Sequence, residues 1–249
     1  LTITYKSPGQ RSPVTNADEA SDAFLRAEIL RRFPTHTVLS EEDPTTQEPS
    51  RSEITWVIDP LDGTNNFMNG LPLFGVSISV LARGYPIAAA IFIPFYKSST
   101  GSVFHARIGG GAKRDQIPLE LGTGWKPGNN LLAAIPGSFW NTFNPSTEAR
   151  KNLGELRTTG SIVYEMAMIG EGVFQYAIYN RPHLWDVAAG LLLLKEAGGL
   201  VLIQEPSSKK WTKFNGFYTH SEEAFPSHAE LRSWRVPIIA GTTAAVDFI

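Results

Sequence analysis

One stretch constrains this chain more than any other: Ile54-Thr55-Trp56-Val57-Ile58-Asp59-Pro60-Leu61-Asp62-Gly63-Thr64, an apolar run that stops in two carboxylates, a proline, a glycine and a hydroxyl. The β-branched and aromatic residues from Ile54 to Ile58 predict a core strand. Pro60 has no N–H to prolong a hydrogen-bond ladder, and Gly63 can take the positive φ of a tight turn. The turn therefore gathers Asp59, Asp62 and the freed carbonyl of Leu61 around one point. Buried carboxylates left unpaired repel one another and take up protons, so hard oxygen ligands clustered in this way suit Mg2+ or Mn2+.

The segments before this turn supply further acids. Asn16 with Glu19 reads as a capping box, and Ala20, Phe24, Ala27 and Leu30 then fall on one helical face until Pro34 stops the helix. Asp18 lies in the first turn of that helix, where a carboxylate complements the helix dipole. Thr37 to Ser40 predicts a short strand that runs into Glu41-Glu42-Asp43, and the polar residues from Thr45 to Glu53 form a loop back to the opening strand. Ser7 to Pro13 is also loop by composition.

After Thr64, residues Asn65 to Met68 predict one helical turn. It would leave the Gly63 and Thr64 amides at a helix start, where an anion is welcome. Phe74 to Ala82 and Pro86 to Pro94 predict an antiparallel hairpin, and Ser102 to Ala106 and Pro118 to Leu121 add short strands. With 249 residues the chain is long enough for one large domain or two smaller ones. Gly122 to Asn130, rich in Gly, Pro and Asn, is the expected boundary, giving halves 1–127 and 128–249. Beyond it strands and helices alternate: strand at Leu131 to Ile135, helix at Thr147 to Leu153, helix at Ser161 to Ile169, strand at Val173 to Tyr179. A long apolar helix from Trp185 to Ala197 follows, closed by Gly198-Gly199, with strands at Leu200 to Ile203 and Val236 to Ala240. The expected class is α+β with an α/β C-terminal half.

Charge and composition narrow the chemistry. Net charge is −2, so nothing recommends a nucleic acid polymer or an anionic membrane as partner. There is no cysteine, which removes disulfides, thiolate metal sites and cysteine nucleophiles together and agrees with a reducing, cytoplasmic setting. The longest apolar runs are far short of the ~20 residues that span a membrane. No P-loop, dinucleotide loop, nucleophile elbow or His-Glu-x-x-His occurs. Asp186 opens the long apolar helix, and His183 near it is more simply a packing residue. Asp18, Glu41, Asp59, Asp62 and Asp186 all sit close to strand or helix ends, and a fold that brings them together needs cations to tolerate them.

These residues resemble the inositol monophosphatase family of metal-dependent, lithium-sensitive phosphatases. The resemblance is carried by Leu39-Ser-Glu41-Glu42-Asp43, by Trp56-Val-Ile-Asp59-Pro-Leu-Asp62-Gly-Thr64-Asn-Asn-Phe67, by Trp185-Asp186-Val-Ala-Ala-Gly190 and by Glu196-Ala-Gly-Gly199. Val14-Thr15-Asn-Ala-Asp18 and Arg157-Thr-Thr-Gly160-Ser161 match two further family segments. It implies a layered α-β-α-β-α sugar-phosphatase fold holding two or three Mg2+ ions, Mn2+ being an alternative. Glu41, Asp59 and the Leu61 carbonyl would bind one ion; Asp59, Asp62 and Asp186 would bind the second, with Glu42 near a third. Thr64 and Asp18 would polarise the attacking water together with the first ion and its ligand Glu41. The phosphate would rest against Asp62, Gly63 and Thr64. Family members are often dimers, so a homodimer is expected by analogy.

Substrate choice follows from departures. Inositol-specific members carry a glutamate seven residues before the Trp-Asp aspartate, and here that position is Tyr179, followed by Asn180, Arg181 and His183. Tyr and Arg in place of that glutamate suggest a leaving group other than plain inositol, an aromatic or a second anionic one. With the sugar-side loop, the expected substrate contacts are Gly160, Ser161, Ile162, Tyr179 and Arg181. A small polyol or sugar phosphate leads, with a 3'(2'),5'-bisphosphate nucleotidase or a histidinol or fructose phosphate phosphatase as alternatives. A haloacid-dehalogenase-type phosphatase is disfavoured because two residues separate Asp59 from Asp62. A non-catalytic metal-binding regulator is disfavoured because every expected site position is filled. Family members also usually carry a helix ahead of the equivalent of Lys6.

Overall fold

The computed structural model describes residues 3–5, 13–43, 52–122, 131–217 and 225–249. The loops expected over 7–13 and 45–53, and the boundary expected over 122–130, lie almost wholly outside these residues.

The first half begins with β1 (Ile3–Tyr5) paired antiparallel to β2 (Pro13–Thr15), which leads directly into α1 (Asn16–Arg32). Thr15 caps α1: its side chain accepts from the Ala17 N–H, and Asp18 reaches back to the Thr15 N–H at 2.8 Å. The capping box is thus one residue earlier than the Asn16/Glu19 pair expected from sequence, and it uses Asp18 itself. The expected apolar face is also displaced. Phe24 and Leu30 are exposed, while Asp18 and Ile29 are buried and Leu25 packs on the Ile29, Val38 and Ile58 cluster. The inward stripe begins with polar residues because they serve the turn beneath it: Ser21 donates to the Pro60 carbonyl at 2.9 Å.

β3 (Thr37–Ser40) pairs parallel to β4 (Ile54–Asp62). The strand does not stop at Ile58 as the proline suggested. It continues to Asp62 through a bulge, because Asp59 lies opposite Ser77 and Asp62 opposite Gly75, so β4 carries one residue more than its partner. A bulge tolerates a proline because the extra residue needs no ladder bond. After α2 (Thr64–Met68) come β5 (Gly75–Ala82) and β6 (Tyr85–Ile93), joined by Arg83 and Gly84 at φ of 51° and 84°, the left-handed pair of a two-residue hairpin. β7 (Ser102–Arg107), β8 (Ala112–Arg114) and β9 (Ile117–Leu119) complete a seven-stranded sheet in the order β3-β4-β5-β6-β7-β8-β9.

The second half contains β10 (Leu132–Ala134), α3 (Phe139–Thr142), α4 (Thr147–Asn152), β11 (Glu155–Arg157), α5 (Ile162–Gly170), β12 (Phe174–Tyr179) and α6 (Leu184–Glu196). It closes with β13 (Leu200–Gln204), β14 (Trp211–Lys213), α7 (His228–Ser233), β15 (Ile238–Gly241) and α8 (Thr243–Phe248). Its six-stranded sheet runs β11-β10-β12-β15-β13-β14, with β10 parallel to β11 and β12 and the other pairs antiparallel.

α5 and α6 lie between the two sheets, which explains their sequences. A helix covered on all sides is apolar all round, and every residue of α6 from Val187 to Leu194 is buried. Gly190 allows the two helices to touch: a Cβ there would collide with Met166 of α5. Gly198, at φ 87°, ends α6, and the Gly199 N–H returns to the Leu194 carbonyl at 2.9 Å in a Schellman closure. With α1 outside the larger sheet and α8 outside the smaller one, the layers run α-β-α-β-α. The fold is the mixed helix-and-sheet architecture expected from sequence.

Candidate active site

The β4 bulge is the centre of the site. Once the chain leaves the ladder, the Leu61 N–H turns to Asp59 Oδ1 at 3.1 Å, and the Leu61 carbonyl accepts from Thr64 Oγ1 at 3.0 Å. Gly63 follows at φ 86°, and a Cβ there would lie 2.8 Å from the Leu73 carbonyl and 3.0 Å from Ser161 Cβ. The position therefore requires glycine for both its backbone angle and the approach of the Ser161 loop.

Three other elements converge on the bulge. Asp18, 2% exposed at the start of α1, accepts from Thr64 Oγ1 at 3.0 Å through Oδ1, while Oδ2 takes the Thr15 N–H at 2.8 Å and the Thr15 hydroxyl at 2.5 Å. Asp62 Oδ2 accepts from Ser161 Oγ at 2.6 Å and from the Val163 N–H at 2.7 Å, which ties the bulge to the start of α5. Asp186 sits in the first turn of α6 and accepts the His183 N–H at 2.9 Å. Oxygens of Asp59, Asp62 and Asp186 all lie within 4.8 Å of one another. Glu41 follows β3, with its N–H donating to the Ile58 carbonyl at 3.2 Å.

Electrostatics set this cluster apart. Burial, then the charges of Glu41, Asp62 and Asp186, push the Asp59 carboxyl well above the usual range. Burial, then Asp62 and Glu41, do the same to Asp186. Asp62 is raised by burial but relieved by its bonds from Ser161 and Val163. Asp59 Oδ2 is fully buried and accepts no hydrogen bond. An orphaned oxygen amid repelling carboxylates is costly without a cation, and a cluster of hard oxygens is what Mg2+ or Mn2+ binds. The donor set fits such an ion.

Of the expected substrate contacts, Gly160, Ser161, Ile162 and Tyr179 line a cavity of about 310 Å³ that reaches Asp62. Arg181 is exposed at φ 55° and is not among the lining residues, although Asn180 and Pro182 are. His183 stacks on Trp185 with ring centres 4.4 Å apart, the packing role expected of it.

Three contributors were not singled out by sequence. Asn66 donates its side-chain N–H groups to the Leu73 carbonyl at 2.7 Å and the Thr159 carbonyl at 2.8 Å, joining the bulge side to the cavity loop. Asp43 accepts from Arg26 and from the Ser40 N–H, so it pins the Glu41 turn. Glu165, buried on α5, lines the cavity beside Asp62. The one available signal was a lone acid inside the apolar stretch from Ile162 to Ile169.

Comparison with known proteins is consistent with this geometry. The model of the inositol monophosphatase family matches residues 1–234. The fructose-1,6-bisphosphatase/inositol-1-monophosphatase of Aquifex aeolicus is 30% identical over 205 residues, 80% of this chain and 75% of that protein. Nus factor SuhB of Escherichia coli (strain K12) is 34% identical over 208 residues, 80% of this chain and 74% of its own length. The Thermotoga maritima IMPase superposes with a TM-score of 0.75 over 100% of this chain and 87% of its own at 23% identity, a likeness of fold. Inositol monophosphatase from Anabaena gives a TM-score of 0.69 at 29% identity, covering 94% of this chain and 84% of that one. The chain belongs to the inositol monophosphatase family and is a phosphomonoesterase.

Proposed function

We propose that the enzyme hydrolyses the phosphomonoester of a small polyol or sugar, with divalent cations, Mg2+ foremost, held by the β4 bulge and its neighbours. The observation that carries this reading is the buried, unpartnered Asp59 Oδ2 within 4.8 Å of Asp62 and Asp186. Glu41, Asp59 and the Leu61 carbonyl would hold one cation, and Asp59, Asp62 and Asp186 would hold another. Bound there, the ions acidify water and neutralise the phosphoryl oxygens of an in-line displacement.

The chain's own residues handle the proton. Thr64 Oγ1 has one hydrogen and two acceptors at 3.0 Å, Asp18 Oδ1 and the Leu61 carbonyl. Donating to Asp18 Oδ1, the hydroxyl would keep its lone pairs for the attacking water, so that a proton taken from the water passes to Thr64 as the Thr64 proton passes to Asp18. The bonds from Thr15 hold Asp18 Oδ2 and leave Oδ1 aimed at Thr64. The Gly63 and Thr64 amides orient the phosphate. No covalent intermediate on the protein is required.

A panel of inositol, fructose, histidinol and adenosine phosphates, assayed with Mg2+ and again with EDTA, tests this reading, and lithium serves as an inhibitory probe. Hydrolysis undiminished by EDTA would overturn it.

A further inference from the structure

Glu165 is the one acid of α5, 4% exposed, and the phosphate chemistry above gives it no task. Its carboxyl gathers donors. Oε1 accepts the Thr159 N–H at 3.1 Å and the Thr159 hydroxyl at 2.7 Å, and the buried Tyr179 hydroxyl donates towards the same carboxyl from β12. Thr159 precedes Ser161, the N-cap of α5, whereas the Glu165 N–H bonds the Ser161 carbonyl at 3.1 Å, so the carboxyl folds the first turn of the helix back on the loop that enters it.

That loop ends on Asp62. The Thr159 hydroxyl, donating to Glu165, accepts the Ser161 N–H at 3.3 Å, and Asn66 holds the Thr159 carbonyl at 2.8 Å. The Ser161 hydroxyl accepts the Tyr164 N–H at 3.1 Å, which leaves its one hydrogen for Asp62 Oδ2 at 2.6 Å. The Val163 N–H reaches the same oxygen at 2.7 Å, and two donors on one oxygen fix the plane of the Asp62 carboxyl. An acid is a costly choice for packing alone: burial pushes Glu165 up to about 7, and a buried carboxylate destabilises the fold wherever it ionises. Converging donors explain it, because a carboxylate has acceptors for all of them and no donor of its own.

Resting on the phosphatase reading above, we propose that Glu165 is a positioning residue for the cation of Asp59, Asp62 and Asp186: it sets Thr159 and Ser161 so that the Ser161 hydroxyl orients the Asp62 carboxyl. Glu165 itself touches neither cation nor substrate. Partners beyond the ligands are worth about 10–100-fold in metal affinity, and a residue that acts through another loses its effect once the intermediary is gone.

Equilibrium binding of Mn2+, followed by the EPR signal of the free ion, tests this chain of contacts without turnover. The relevant site is the one that Asp62→Ala weakens most. Ser161→Ala should raise its Kd about 10-fold or more and Glu165→Ala about fivefold or more, while the double variant stays within about twofold of Ser161→Ala alone. Glu165→Gln keeps an acceptor for Thr159 and should stay within about threefold of wild type. Thr159→Val, equal in shape at a half-buried position, removes one arm without opening a cavity and should raise the Kd about threefold or more, so the test does not depend on how well Glu165→Ala folds. A lowered Tm with an unchanged Kd in Glu165→Ala and Thr159→Val would show a structural role and overturn the proposal, as would losses that multiply in the double variant. Wild type that binds no Mn2+ would overturn the phosphatase reading and the proposal with it.

Discussion

The guanidinium of Arg232 lies 5.2 Å from the ring centre of Trp185, one residue before Asp186. The same guanidinium donates to the Ser40 carbonyl at 3.0 Å and the Asp43 carbonyl at 2.9 Å, on either side of Glu41 and Glu42. One fork from α7 therefore fixes the distance between the Glu41 turn and the start of α6, which carry two of the proposed cation ligands. Lysine has no second arm and stacks less well, so it cannot replace this arrangement. Arg232→Lys and Arg232→Ala are expected to raise the Mg2+ concentration for half-maximal activity about 10-fold or more. At saturating Mg2+, kcat should remain within about threefold. An unchanged Mg2+ titration with only a lowered Tm would show Arg232 to be structural.

Removing the metal should expose the cost of the acid cluster. Burial and the neighbouring carboxylates raise Asp59 and Asp186, so the folded protein retains protons that the unfolded chain has already lost. Stability without metal is therefore highest below the ordinary carboxylate pKa and falls as pH rises towards the raised values. Thermal melts in EDTA should show Tm dropping as pH rises above the ordinary carboxylate range. Mg2+ at ~100 times its Kd should restore about 2.7 kcal/mol. Asp59→Asn should be inactive yet more stable than wild type in EDTA at pH 8, and a less stable variant would argue against a repulsive cluster.

Glu165 makes a separate contribution to that profile. Burial, opposed by its bonds from Thr159 and reinforced by Asp62, moves its carboxyl from 4.5 to about 7. At ~1.4 kcal/mol per unit, a buried acid shifted this far loses roughly 3 kcal/mol of stability as pH rises from the unfolded to the folded value. Glu165→Gln keeps an acceptor for Thr159 and has no charge to bury. In EDTA its stability should match that of wild type near pH 4.5 and exceed it increasingly up to about pH 7.5. Parallel curves for the two proteins would show that Glu165 does not titrate in this window.

What the sequence disclosed about the site follows from how local each part is. The β4 turn was legible because Pro60, Gly63 and the two aspartates act within a few residues of one another, and their spelling limits what the backbone can do. Asp186 was legible as the start of an apolar helix. The inward stripe of α1 was not, because its first turns face polar groups of β4, and periodicity then favours the wrong face. The extension of β4 to Asp62 was hidden because a proline predicts an end unless the bulge opposite Ser77 and Gly75 is already known. α3, α7, α8, β8 and β14 have three to six residues each, too few to show a period. The roles of Asn66 and Arg232 depend on partners 93 and 192 residues away, and no local pattern encodes those contacts.

Thr64 offers the most direct check on the proton path. Its hydroxyl lies 3.0 Å from both Asp18 Oδ1 and the Leu61 carbonyl, and it can donate to only one. Valine has the same shape and neither donor nor acceptor, so Thr64→Val leaves Asp18 without the donor at Oδ1 and the water without an acceptor. Serine retains both functions. Loss of a group that acts in the transition state lowers kcat with little change in KM. General acid–base groups of this kind contribute about 10²–10⁴-fold. Thr64→Val should therefore lower kcat by at least about 100-fold with KM within threefold, and Thr64→Ser should recover most of the rate. The Thr64→Val loss should also persist at saturating Mg2+, since weakened cation binding alone would be overcome there. If excess Mg2+ restores the valine variant, Thr64 serves the cation site rather than the water.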